Sequence, residues 1–406
     1  MRIIPVASPE VPAKKNPRLA SLDALRGFDM FWIISGEEIF HGLANTVKDK
    51  YGLARNPINW RIATDDRLNF GEQILVGISN QLHHSPWNGF TFYDLIFPLF
   101  IFISGISMAF SYGTNPSHAD ATTKKKRYTQ LVKRTIWLIL LGMVVNGLFR
   151  FQSYEQTRFA SVLGRIGLAC FFAAIIYLNT SLRGQIIWFT CILAGYWLLM
   201  TMIIVPGHGA GVLTPEGNLA SYIDQHLLPG KLHRKVYDPE GLLSTIPAIA
   251  TAMLGLFTGR FLRWETAKLK PMKKMYVMAG ASVMLILLGL AWDMVFPINK
   301  TMWTSSFVLY AGGWSLLLFA VFYGLADVAG YQKWCVPMVW IGTNSILIYV
   351  AVHGLIGFEA TAQYLLGGLI TRLSAAWQHA IVWTGVLAIQ LLLLRFVYIR
   401  KLFLKL

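Results

Sequence analysis

At 406 residues with 55% hydrophobic and only 14% charged residues, and a mean hydropathy of +0.50, the chain is far more apolar than a soluble domain of its length, which excludes a water-solvated globule. Thirty-six Lys+Arg against 20 Asp+Glu give a formal charge of +16. The basic residues gather in short stretches between apolar segments, as at 124–127 and 260–274, which is the pattern of cytoplasmic loops and argues against nucleic acid as the partner.

Residues 1–20 are polar and Pro-containing and read as a cytosolic tail without a cleavable leader. Residues 21–406 read as one membrane domain. Spanning the hydrocarbon takes about 20 apolar residues. Windows of that length fall at 24–45, 92–113, 132–150, 160–179, 185–205, 242–260, 274–296, 303–325, 336–355 and 377–398. The expected fold is an all-α integral membrane protein, a bundle of about ten transmembrane helices with both termini cytoplasmic. That orientation puts 22 Lys/Arg on the inner side and 12 on the outer, as the positive-inside rule requires. The expected location is the inner membrane, multi-pass. Outer loops of about 46–91 and 206–240 are long enough to hold structure, and 356–376 reads as an interfacial or re-entrant helix. Cys170, Cys191 and Cys335 lie singly in apolar segments, so neither a disulfide framework nor a metal site is expected.

Charge at the bilayer centre costs roughly 2.5–3.5 kcal/mol per group, so ionisable residues inside spans are candidates for function. The first span carries Asp23, Arg26 and Asp29, then Glu37, Glu38 and His41. Asp23 and Arg26, three apart, either pair at the interface or hold a ligand there. Glu37 and Glu38 point about 100° apart, so at least one faces the bundle interior. The stretch from His83 to Asp94 gathers imidazoles, aromatic faces, an amide and a carboxylate. There His84 suits a general base, Asp94 can fix its tautomer, and Trp87, Asn88 and Asp94 suit a carbohydrate pocket, against the plain alternative of a solvated loop.

Arg165, inside the fourth span, needs a buried acceptor, for which Glu37, Glu38 and Asp94 are the candidates. Asn299 and Trp303 open the eighth span, with Trp303 read as an interfacial anchor. Asn344, Ser345, Tyr349 and His353 place polar groups in the ninth span, either for helix packing or for a cavity shared with His84.

Several segments carry a further signal: Ser21-Leu22-Asp23-Ala24-Leu25-Arg26-Gly27; His84 followed by Trp87-Asn88-Gly89 and Asp94-Leu95-Ile96-Phe97-Pro98; Val162-Leu163-Gly164-Arg165-Ile166-Gly167; Asp238-Pro239-Glu240-Gly241-Leu242-Leu243; Pro297-Ile298-Asn299-Lys300 with Trp303; and Asn344-Ser345-Ile346-Leu347-Ile348-Tyr349. In this order, over about residues 20–355, they resemble the heparan-alpha-glucosaminide N-acetyltransferase family in its shorter bacterial form, within the transmembrane acyltransferase superfamily. The resemblance implies a ten-helix bundle that takes acetyl-CoA from the cytosol and acetylates the amine of a glucosamine-type sugar on the far side, with the catalytic histidine at His84. Two departures stand out: Glu37 occupies the place of an active-site asparagine of the animal enzyme, and the loop before His84 is longer.

On that reading His84, Glu37, Glu38 and Asp94 form the catalytic set. Trp87, Asn88, Arg165, Asn299, Asn344 and His353 bind the acceptor, an amino sugar or glycan. Arg26, Lys133, Arg134, Ser345 and Tyr349 hold the acetyl-CoA co-substrate, and no metal is expected. The lipid bilayer is the expected surrounding, and a homodimer is allowed. The rival readings are O-acetylation of an envelope polysaccharide, a secondary transporter and a nonenzymatic scaffold.

Overall fold

The computed structural model describes residues 19–404 apart from 114–116, 118–119, 151–152 and 265–268. The expected tail, 1–20, therefore lies almost wholly outside the described residues. The chain begins with α1 (Ala20–Phe31), passes through one π-turn at Trp32–Gly36 and continues as α2 (Glu37–Tyr51). Helix α3 (Phe70–Gln81) folds back on α2, and α4 (Phe92–Tyr112), α5 (Ala121–Val145), α6 (Val162–Asn179) and α7 (Leu182–Met202) follow. A two-residue antiparallel hairpin, β1 (Ile204–Val205) with β2 (Gly209–Ala210), and α8 (Leu219–Leu227) precede α9 (Thr245–Arg263), α10 (Pro271–Asp293) and α11 (Ser305–Tyr323). Helices α12 (Val336–Thr343), α13 (Ser345–Val350), α14 (Phe358–Ile370) and α15 (Ala375–Ile399) complete the bundle.

Eight helices among the described residues are long and apolar enough to cross a membrane, and the pair around α12 and α13, bent by 62° at Asn344, adds a ninth when it is counted as one broken span. Each lies on an expected window. The remaining window, 24–45, is α1 and α2. These form helix as expected, but their ionisable residues keep them from qualifying as an apolar span on composition. Helix α14, at 13 residues, spans about 20 Å and is too short to cross the hydrocarbon.

Burial sorts the helices into layers. In α4, 78% of the apolar window is buried, against 17% for α10 and 22% for α5 and α7. Helix α4 is thus the central strut, and the sparsely buried helices present apolar faces outward to lipid. Small residues let the inner helices touch backbone to backbone. A Cβ on Gly105 of α4 would strike the Ala252 carbonyl of α9, and one on Gly255 would strike the Phe102 carbonyl in return. Gly105→Ala should therefore cost about 1–3 kcal/mol by overpacking. A thermal midpoint in detergent equal to that of the parent would show the crossing to be looser than it is drawn here.

Trp303 corrects an expectation. It is fully buried rather than interfacial, because its indole N–H donates to Thr251 Oγ1 at 3.1 Å and its ring packs edge-on against Phe97 with centroids 5.0 Å apart.

The connections 52–91, 203–244 and 294–304 meet at one end of the bundle. Trp87 Nε1–H donates to the Leu213 carbonyl at 2.8 Å, and Gly89 N–H donates to the Ile298 carbonyl at 2.8 Å. Gly89 adopts φ +109°, a conformation that disfavours any side chain. A small apolar cluster of Tyr196, Met200, Val205, Leu219, Phe296 and Met302 lies beneath these loops, with Trp87 packed on it. The segment that carries His84 is thus held from both sides.

Candidate active site

The N-terminus of α4 builds the centre. Asp94 is the third residue of the helix, where an acid meets the free amide groups of the first turn. Its Oδ2 accepts from Thr91 N–H at 3.1 Å, Thr91 Oγ1–H at 3.0 Å and Ser85 N–H at 3.1 Å. Its Oδ1 lies 2.8 Å from His84 Nδ1. The Asp94 side chain is 1% exposed and that of His84 is 52% exposed. A buried carboxylate fixed by three other donors takes the imidazole proton on Nδ1. That leaves the Nε2 lone pair of His84 free to act as a base.

Lys300 completes the pair from the 294–304 loop. Its Nζ lies 3.1 Å from His84 Nδ1, 3.3 Å from Nε2 and 3.7 Å from Asp94 Oδ1. Near-equal distances to both ring nitrogens put the ammonium over the ring, not in its plane, so the Nε2 lone pair is not consumed. Withdrawal from water and the Lys300 charge lower the His84 pKa below its ordinary 6.5, against the opposing pull of Asp94. Burial likewise lowers the Lys300 pKa, opposed by Asp94 and Glu240.

A cavity of about 200 Å³ opens at His84. Its polar rim is His84, Lys300, Glu240, Tyr93, Tyr349 and His353, and its wall is apolar, with Met30, Ile33, Ile96, Phe97, Phe100 and Ile346 among the lining residues. A second space of about 260 Å³ shares Val162, Leu163, Tyr349 and His353 with it and reaches Asn146 and Arg158. On α1, Arg26 stands one turn before the cavity-lining Met30 and itself lines neither space. Arg26 pairs with Asp23 at 3.3 Å, one of the two alternatives its spacing offered, and donates to Ser107 Oγ at 2.7 Å.

The two adjacent glutamates part company. Glu37 hydrogen-bonds Tyr93, whose ring leans on His84 with centroids 4.8 Å apart. Glu38 turns to α15 instead and pairs with His379 Nε2 at 3.3 Å. Nearby, His41 stacks on His83 with centroids 4.1 Å apart.

Arg165 finds none of its three expected acceptors, since Glu37, Glu38 and Asp94 are taken up elsewhere. Its Nη2 donates to the Gly241 carbonyl at 3.3 Å and to Ser244 Oγ, and its guanidinium packs over the Trp303 ring at 5.0 Å. The acids around it are Glu240, Asp224 and Asp238.

Of the expected acceptor residues, His353 lines the cavity, whereas Asn299 is fully buried. The Asn299 amide donates to the Trp87 carbonyl at 3.0 Å and to Asn88 Oδ1 at 3.1 Å, so all three residues brace the His84 turn. Asn344 and Ser345 are buried at the break between α12 and α13, where Asn344 Oδ1 accepts from Leu404 N–H at 3.3 Å, and they line neither space. Of the expected CoA residues, Tyr349 lines the cavity, while Lys133 and Arg134 lie along α5 and line neither space.

Lys300, Tyr93 and Glu240 are site residues that the sequence did not single out. Lys300 and Glu240 each lie in a recognised block, and an ionisable group beside a span boundary in such a block was the available signal. Among the described residues no group of three or more His, Cys, Asp or Glu is placed to hold a metal.

A polytopic helical bundle with a histidine–aspartate pair at the head of an apolar cavity defines a membrane-embedded protein equipped for acid–base chemistry. The catalytic model of heparan-alpha-glucosaminide N-acetyltransferase matches residues 73–292, more than half of the sequence, and the chain belongs to that family. The heparan-alpha-glucosaminide N-acetyltransferase of Mus musculus is 28% identical over 320 residues, and that of Homo sapiens 29% over 319. Each match covers 66% of this chain and 48% of the relative, so the chain spans about half the length of these curated relatives.

Proposed function

We propose that the chain transfers an acetyl group from acetyl-CoA to the amine of a glucosamine-type sugar. The observation that carries this is the His84–Asp94 pair, with Lys300 over the ring, at the head of a largely apolar cavity of about 200 Å³. His84 Nε2 takes a proton from the amine as its nitrogen attacks the thioester carbonyl. The C–N bond forms, the C–S bond breaks, and the proton passes from His84 to the leaving thiolate. Lys300 offsets the negative charge that develops on the carbonyl oxygen. Glu37, through Tyr93, holds the far side of the imidazole, and Trp87 and Asn88 shape its loop.

The excess of Lys/Arg on the loops opposite His84 supports an orientation with both termini in the cytoplasm and His84 on the far side of the inner membrane. Acetyl-CoA then enters from the Arg26 end and the sugar from the His84 end.

Detergent-purified chain given labelled acetyl-CoA and a panel of amino sugars should yield N-acetylated sugar by mass spectrometry. Unchanged acetyl-CoA across the whole panel would defeat the reading, and a product acetylated on oxygen would replace it with O-acetylation.

The pH profile offers a sharper check. The base form of His84 is the active one and its pKa lies below 6.5, so activity should persist below that pH and fall as the pH drops through the lowered pKa. Lys300→Met removes a charge that depresses this pKa, so the acid limb should move up towards 6.5 while the maximal rate drops about tenfold or more. An acid limb that stays in place would remove Lys300 from the electrostatics of His84.

A further inference from the structure

We propose that Glu240 makes the site select a cationic amine over a neutral hydroxyl acceptor; this rests on the acetyl-transfer reading. Glu240 lines the same cavity as His84 and Lys300, with its side chain 11% exposed. It stands on a turn that is fixed at every step. Its own N–H donates to Asp238 Oδ1 at 2.9 Å, and the Leu242 N–H donates to Asp224 Oδ1 at 2.9 Å. Gly241, between them, packs so closely on the Asp224 carboxylate that a Cβ there would overlap it. Rigid mounting of this kind is what selectivity between close analogues requires.

Glu240 keeps one oxygen open to a charged donor. Arg158 is met by Asp238 through two hydrogen bonds of 2.8 and 2.6 Å, so its charge is neutralised before it also reaches Glu240 Oε2. No donor among the described residues reaches Glu240 Oε1. Lys300 lies nearer to Asp94, at 3.7 Å, and balances it. Glu240 therefore keeps one carboxylate oxygen, Oε1, without a donor among the described residues, on the rim of the space where an acceptor must sit.

An amino sugar arriving as R–NH3+ offers that oxygen a charged donor, and a neutral sugar with a hydroxyl at the same carbon does not. One proton leaves to bulk water to give the neutral amine. The remaining transferable proton then travels through His84 to the thiolate as the C–N bond replaces the C–S bond.

The test compares glucosamine with glucose on the full chain in detergent. A charge-assisted hydrogen bond supports discrimination of about 10–100-fold. Glu240→Gln should raise the KM for glucosamine by about tenfold or more and leave glucose inhibition nearly unchanged, while Glu240→Asp restores part of the difference. If Glu240→Gln fails to fold, the parent protein still decides. Above the amine pKa, roughly 8 for an ordinary α-amine, the KM for glucosamine should rise with pH while glucose inhibition stays level. Unaltered discrimination in a folded Glu240→Gln protein, or a glucosamine KM flat through that pH range, overturns the proposal. Failure of the parent to acetylate any amine overturns the underlying reading instead, so the two failures are distinguishable.

Discussion

His84→Gln is expected to lower acetyl transfer by about 10²–10⁴-fold, the contribution of a positioned base, with little change in the thermal midpoint. The side chain is 52% exposed and fills no core void, so its removal takes away chemistry and leaves packing intact. The KM for acetyl-CoA should hold, because the apolar wall of Met30, Ile33 and Phe100 is untouched. A further distinction is available from the parent protein. If transfer proceeds through an acetylated imidazole, incubation with acetyl-CoA alone should leave an acetyl adduct on the peptide containing His84. Direct attack leaves none, and full turnover by His84→Gln would remove this residue from the reaction altogether.

Asp94→Asn should be nearly as severe for rate and worse for stability. Asp94 accepts four hydrogen bonds, from His84, Ser85 and twice from Thr91. An amide in its place must turn a donor towards one of those donors. The cost of that mismatch in a site 1% exposed is about 1–3 kcal/mol. Turnover should fall by about 10²-fold or more because the imidazole loses the partner that fixes its tautomer. The pH profile separates this variant from Lys300→Met. The Asp94 charge raises the His84 pKa, so losing it moves the acid limb down in pH, whereas losing Lys300 moves it up. Limbs shifting in the same direction would show that the two charges do not act on one imidazole.

Much of this site was legible in the sequence where it is local. Thr91 and Asp94 are three apart at the start of an apolar run, a helix-start signature, and His84 lies in the same segment. The long apolar windows became helices because lipid leaves the backbone little other choice. What was hidden depends on contacts across the chain. Lys300 reaches His84 over 216 positions, and no periodicity links a loop after α10 to one before α4. Arg165 was sought beside the acids of α2 and α4, yet it faces the Ser244 turn, because which side of α6 meets which neighbour is set by packing. Glu37 and Glu38 were indistinguishable by composition; a difference of about 100° in direction sends one to Tyr93 and the other to His379.

The first crossing and the bent pair are joined unevenly along their length. Gly27 of α1 presses on the Met338 carbonyl, and Gly342 of α12 presses on the Asp23 carbonyl, which locks the two helices together near the Arg26 end. Towards His84 both lose their regular helical bonding, one at Trp32–Gly36 and the other at Asn344 and again at Ala351–Leu355. Past that joint they carry Ile33 on one side and Tyr349 on the other, so part of the cavity wall is built from the stretches where the pair departs from regular helix.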